Sequence, residues 1–488
     1  MTHIISEQES SSKAQHGSKK SLRLALLCAT IGIIAISFVL KSSLKSKLIL
    51  FSEHQYKKAV STASCKQDNV FNHEVAITYF PQNIHQRISK FRCTGSENDI
   101  RAWEDRLCVF YNTCYNRDSG HFYYFRPSGS KAKPIFYDSA KGMLFEFSLN
   151  NSRTEFVSLA PDGHTPWGPI ISNETYPSAD FTILHQLHSL IKSRHAQNSI
   201  AHGLWEDLGS ISYSMERMNI FDQKLVIMHL GKIPNTKLFS TYRQYVIPAL
   251  TENAMVEFEI YVTSFKTKHV CFDRLIVGGQ LSVFPKLKIK ENHGREALFY
   301  NWRSKIIKYS GFDPNFLPRK HHIIVTNKSH SLFTNSHSNR HRAIVNLKEV
   351  EMFIKLTYPT ISSEVIEWHT IPFKKQIEKL LQTTILITPC GGVSLIIPML
   401  PHGAHAIVMD YYVSVAAHGF HAGESGSMEG AFLNHISHVR KQYYQVYGRS
   451  DYEFDYPGTS DTREQASTIV NMTRLQLLID KALEEMEP

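Results

Sequence analysis

The residues with most scope for chemistry in this 488-residue chain lie in the segment Ile385–Asp410. Its apolar runs and glycines read as a buried strand, a glycine turn, a helix, a second turn and a second strand. Gly391 and Gly392 let the backbone come close to a bulky anion. The helix that follows offers unpaired N–H groups and the positive end of its dipole, a combination that binds phosphate. Ser394 adds a hydroxyl to that turn or serves as a cap. The stretch is neither a P-loop nor G-x-G-x-x-G, so a tight turn without ligand also fits it.

A second group is His202, Glu206 and Asp207. Residues four apart share a helix face, so His202 and Glu206 point the same way. Asp207 projects about 100° away and is in reach of His202 across the turn. A carboxylate beside a hydroxyl acts as a general base, although surface charges on an amphipathic helix show the same pattern. Other groupings are weaker. Asp451, Glu453 and Asp455 alternate as ligands on a strand face would, but no buried strand precedes them, and a solvated tail is expected. The pairs His321 and His322, and His418 and His421, lack matching Cys or His partners. Gly426–Met428 lacks the G-x-S-x-G of a nucleophile elbow. No metal site is expected.

Composition narrows the classes. With 20% charged residues, 28 Phe and 22 Tyr, the chain is not mostly disordered, and seven cysteines do not make a small disulfide scaffold. The net charge is +10, from 54 Lys/Arg against 44 Asp/Glu. Residues 1–58 hold nine Lys/Arg and three Glu, which is +6 of it; residues 59–488 hold 45 against 41. A body so nearly neutral argues against nucleic acid.

Leu24–Leu40 is 17 residues without charge between Arg23 and Lys41, and reads as one short membrane anchor. The expected order is a tail at 1–21, the anchor at 22–40, a stem at 41–70 and globular chain from 71. Sequons at Asn150, Asn173, Asn327 and Asn471, and the cluster of Cys93, Cys108 and Cys114, suit an oxidising lumen. Pairing among these cysteines and Cys65 is not readable from spacing. The expectation is a single-pass type II protein of the Golgi or endoplasmic reticulum membrane, its bulk lumenal.

The elements that must position the chemistry follow. Strands are expected at Phe122–Phe125, Ile135–Tyr137, Leu144–Leu149, Leu275–Gly278, Ile323–Thr326, Glu364–Trp368, Ile385–Thr388 and Ala406–Met409. Phe181, Leu184, His185, Leu187, His188 and Ile191 recur at helical spacing, predicting a helix over about 180–217 with Asp180 at its start. Further helices are expected at Glu296–Ser310, Phe373–Gln382 and from Gly391 to Met399. Alternating strands and helices predict a parallel, doubly wound α/β sheet with ligands at the carboxyl ends of its strands.

The segment Ile385–Asp410 resembles the C-terminal signature of glycosyltransferase family 61, in which a strand ends in a glycine-rich turn followed by a helix, Leu-Pro, a Gly-Ala turn and a strand. Cys108–Cys114, His202–Leu208, Phe272–Gly279 and Ile323–Asn346 are similar to other family segments in the same order, so the resemblance covers roughly residues 93–412. Two positions depart. Many members have His before the glycine pair, where this chain has Cys390. Many have Arg after the Ile323 strand, where it has Lys328, a cation without the bidentate fork.

The resemblance implies the GT-B arrangement of two Rossmann-like domains facing a cleft, 71–260 on the acceptor side and 261–488 for the nucleotide sugar, after a single N-terminal transmembrane helix. It implies an inverting, metal-independent hexosyl- or pentosyltransferase without cofactor, moving sugar from a UDP-sugar to a glycan or glycoprotein acceptor. The leaving diphosphate then rests on backbone N–H groups, a helix dipole and cations. Gly391, Gly392, Ser394, Cys390, Lys328 and Arg342 are the expected binding set, with Arg303 a weaker member. Glu206 or Asp207, with His202, is the expected base. The alternative is an inactive member that binds glycan or nucleotide without transfer.

Overall fold

The computed structural model describes residues 87–94, 107–126, 135–138, 143–146, 157–159, 165–172, 174–193, 196, 200–278, 296–328, 342–409, 413–414, 419–420, 432–433, 435–454, 458 and 466–486. The expected tail, anchor and stem, with Cys65, Asn150, Asn173, His418, His421, Gly426–Met428 and Asp455, lie outside them. Among the described residues no helix is long and apolar enough to cross a membrane. All of them belong to one compact unit, Gln82–Pro488.

The first sheet has eight strands: β1 (Lys90–Thr94), β2 (Leu107–Asn116), β3 (His121–Phe125), β4 (Ile170–Ser172), β5 (Phe181–Ile191), β6 (Val226–His229), β7 (Val256–Glu257) and β8 (His269–Gly278). Their order is β7-β6-β5-β8-β2-β3-β4, with β1 also on β2. The first four of that order are parallel, and β2 is antiparallel to β8, β1 and β3. Two disulfides staple it, Cys93–Cys108 between β1 and β2 and Cys114–Cys271 between β2 and β8. Each joins residues directly opposite in the ladder. The expected boundary at 260 does not separate the sheets, because β8 lies in the middle of the first.

β5 corrects the helix expected over its residues. His188, Ser189, Leu190 and Ile191 are all buried, since β6 and β8 flank the strand and both faces are covered. Burial on two faces erases the alternation that marks a half-exposed strand, and the remaining apolar spacing imitates a helix. Asp180, expected as a helix start, has φ +51° and offers its carbonyl to the His269 N–H at 3.1 Å. Helix begins only at Ile200, passing through a π-helix, His202–Asp207, into α1 (Leu208–Met218).

The second sheet is wholly parallel. Its strands are β9 (His322–Thr326), β10 (Ser362–Ile366), β11 (Ile385–Pro389), β12 (His405–Met409) and β13 (Arg440–Tyr444), in the order β10-β9-β11-β12-β13. The β-branched runs of β9 and β11 are buried throughout their centres, as strands covered on both faces must be. Helices α2 (Glu296–Tyr309), α3 (Leu347–Thr357), α4 (Phe373–Leu381) and α5 (Met472–Glu485) each bury one stripe, such as Phe373, Ile377, Leu380 and Leu381 of α4. One apolar core runs from Leu187 and Ile276 of the first sheet through Trp205 and Trp302 to Ile324 and Ile387 of the second.

Candidate functional site

In chain order the second sheet runs 2-1-3-4-5, so its winding reverses between β9 and β11. Ligands of such sheets bind outside the carboxyl ends of the strands at that switch point. Lys328 follows the end of β9 by two residues and Cys390–Gly391 follows the end of β11 directly. The two strands are adjacent and parallel, with Val325 opposite Ile387.

Gly391 has φ +105°, a conformation open to glycine. A Cβ there would also stand 3.1 Å from the guanidinium of Arg342. Arg342 therefore lies on the backbone of the glycine turn. The strand Ala466–Thr468 holds it there: the Arg342 N–H donates to the Ala466 carbonyl at 3.0 Å, and the next N–H donates to the Ser467 hydroxyl at 3.2 Å. Gly392 then opens a 3₁₀-helix to Met399, tighter than the α-helix expected. Its first hydrogen bond runs from the Ser394 N–H to the Gly391 carbonyl, leaving the N–H groups of Gly392 and Val393 ahead of it. Lys328, Gly391, Gly392 and Arg342 thus gather at one edge.

Three members of the expected binding set do other work. The Ser394 hydroxyl is fully buried and donates to the Gly391 carbonyl at 2.8 Å, so it closes the turn. Cys390 is a buried thiol outside both disulfides, and its N–H joins β11 to β12 through the Met409 carbonyl. Arg303, for which a solvated helix face was the other reading, is 0% exposed. It donates to the carbonyls of Pro398 at 2.7 Å, Leu400 at 2.8 Å and Pro314 at 2.9 Å, and burial lowers its pKa to about 10.

His202 and Glu206 do meet, His202 Nδ1 hydrogen-bonding Glu206 Oε2. The imidazole is 32% exposed and the carboxylate 3%, so the histidine is the outward member. Asp207 turns the other way, into the protein. Its two oxygens are sealed from solvent, and no described donor meets either at full hydrogen-bond geometry. Burial raises its pKa to about 8; the Ser193 hydroxyl opposes the rise and Glu206 adds to it. The π-helix carrying the three is shaped by a contact distant in sequence. A Cβ on Gly203 would fall 2.3 Å from the buried ring of Tyr242, so only glycine lets the backbone pass.

Sequence reasoning missed what joins the two halves of the site. The Trp205 indole N–H donates to the Leu395 carbonyl of the 3₁₀-helix at 2.9 Å, and the Trp302 indole N–H to the Leu204 carbonyl of the π-helix at 2.9 Å. Pro398 carried a usable signal. A 3₁₀-helix pairs each carbonyl with the N–H three residues on, and proline has none, so Leu395 had to find a donor elsewhere.

The remaining groupings are structural. Asp451, expected on a solvated tail, holds Arg474 through both oxygens at 2.8 and 2.9 Å and leads into the strand Tyr452–Phe454. His322 bonds Ser362 and Glu364. Among the described residues no group of three or more His, Cys, Asp and Glu gathers as a metal site. A cavity of about 360 Å³ lies away from the glycine turn, lined by Asp118, Asp180 and Glu259 and by Arg117, Lys266 and Lys268 among others.

Residues 284–407 match the model of the family described as Glycosyltransferase 61. The matched stretch includes α2, strands β9 to β11, most of β12, and the glycine turn. No curated protein matches the chain.

Proposed function

We propose, with membership of glycosyltransferase family 61 as the premise, that the chain transfers sugar from a UDP-sugar to a glycan or glycoprotein acceptor, with inversion and without metal. The observation that carries this is the Arg342 guanidinium packed on Gly391 at the switch point of a parallel sheet. Arg342, Lys328 and the N–H groups of Gly392 and Val393 take the diphosphate. The GT-B arrangement, a pocket shared by the two sheets, is part of this reading. So is attachment to a secretory-pathway membrane through Leu24–Leu40, with the enzyme in the lumen.

In the reaction, the acceptor oxygen bonds to the anomeric carbon as that carbon's bond to the β-phosphate oxygen breaks. The electron pair leaves with the diphosphate, where fixed cations and N–H groups stabilise it. The hydroxyl proton passes to His202. Glu206 holds the ring through Nδ1 and stabilises the imidazolium that forms. Asp207 stays protonated near neutral pH and takes no proton.

The test incubates residues 59–488 with a panel of nucleotide sugars in EDTA and measures released nucleoside diphosphate. Turnover of at least one UDP-sugar is expected. No hydrolysis or transfer with any donor, together with no UDP binding, would contradict the reading.

A further inference from the structure

We infer that Trp205 is a positioning residue that sets the His202–Glu206 pair against the diphosphate turn; the inference rests on the function proposed above. Trp205 sits within the π-helix, one residue before Glu206, and is fully buried. Its hydrogen bond to Leu395 joins the segment of the proton-accepting pair to the helix that opens at Gly392.

The bond is specified from both ends. Pro398 withdraws the N–H that would serve the Leu395 carbonyl within the helix, and the indole supplies the missing donor. The ring is held in place by Phe432 and Phe299, with centroids 5.3 and 6.3 Å away. Two consecutive residues of α2 close the frame. Trp302 grips the π-helix at Leu204, and Arg303 grips the far end of the 3₁₀-helix at Pro398 and Leu400. Gly209 makes room, since a Cβ there would lie 3.0 Å from the Leu204 oxygen and 3.2 Å from the Trp302 nitrogen. The pair and the turn are thereby fixed to each other through buried hydrogen bonds. A displacement of about 1 Å between reacting groups costs on the order of 10²-fold in rate.

Trp205→Phe removes the donor and keeps an aromatic ring. Pro398→Ala gives Leu395 a donor of its own, and keeps the carbonyl that Arg303 uses. The experiment measures kcat, UDP affinity and melting temperature for the wild type, both single variants and the double variant. Expected are a kcat for Trp205→Phe lower by tenfold or more, UDP affinity within threefold, and a lowered melting temperature. Pro398→Ala alone should turn over as the wild type does. The double variant should regain melting temperature while kcat stays low, because Leu395 is satisfied but the pair is no longer tied to the turn. A kcat that recovers together with melting temperature, or one within threefold of wild type in Trp205→Phe, would overturn the positioning role. Absence of turnover in the wild type would instead overturn the function on which it rests.

Discussion

Glu206 and Asp207 are adjacent carboxylates with opposite surroundings. Glu206 has an imidazole partner that reaches solvent, while Asp207 has burial and, to a smaller extent, the nearby charge of Glu206, which together raise its pKa to about 8. The sign follows directly. An aspartate whose folded pKa lies above its unfolded value binds its proton more tightly in the folded state. Its contribution favours folding below about pH 4 and is lost as pH rises toward 8. Asp207→Asn cannot ionise, so the stability of the variant relative to wild type should grow between pH 4 and 8 and then level off. The full change is on the order of 5 kcal/mol, at about 1.4 kcal/mol per pH unit. Thermal unfolding across that range checks it; a constant difference would mean Asp207 is ionised throughout. Turnover of Asp207→Asn at pH 7 should stay within about threefold of wild type. The sequence alone offered Asp207 and Glu206 as equal candidates, because burial is a property of the packed neighbourhood and leaves no mark on residue type.

At the scale of elements, legibility tracked how local the cause was. The carboxyl-edge strands β9, β11 and β12 were readable from their apolar runs, and the glycine turn from Gly391 and Gly392, because each is decided within a few residues. β5 was not, since its two faces are covered by distant segments, Leu187 and Ile191 in one apolar cluster and Leu184 and Leu190 in another. The π-helix was not, since its cause is the Tyr242 ring, 39 positions beyond Gly203. Gly203→Ala tests that cause. A methyl 2.3 Å from a fully buried ring forces the two apart, at a cost of about 1–3 kcal/mol. Chemical denaturation should show the loss, and UDP binding should survive because the glycine turn is untouched. Unchanged stability would mean that the close approach does not determine the π-helix.

Across the whole molecule, the site is drawn from distant stretches of chain. Lys328 comes from β9 and the N–H groups from the turn after β11. Arg342 is held by the strand Ala466–Thr468, more than 120 positions further on. Such a set cannot be read from spacing, yet the 2-1-3-4-5 order says where it must converge. Under the proposed function, the strand Ala466–Thr468 fixes Arg342 for donor binding as well as packing against it. UDP titrated into residues 59–488 and into Arg342→Ala, in one EDTA-containing buffer, tests the central claim most directly. A charge-assisted contact is worth roughly 1.5–3 kcal/mol, so the account predicts saturable UDP binding by the wild type and an affinity about 10- to 100-fold weaker in Arg342→Ala. No UDP binding by the wild type, or equal affinity in the variant, would contradict it.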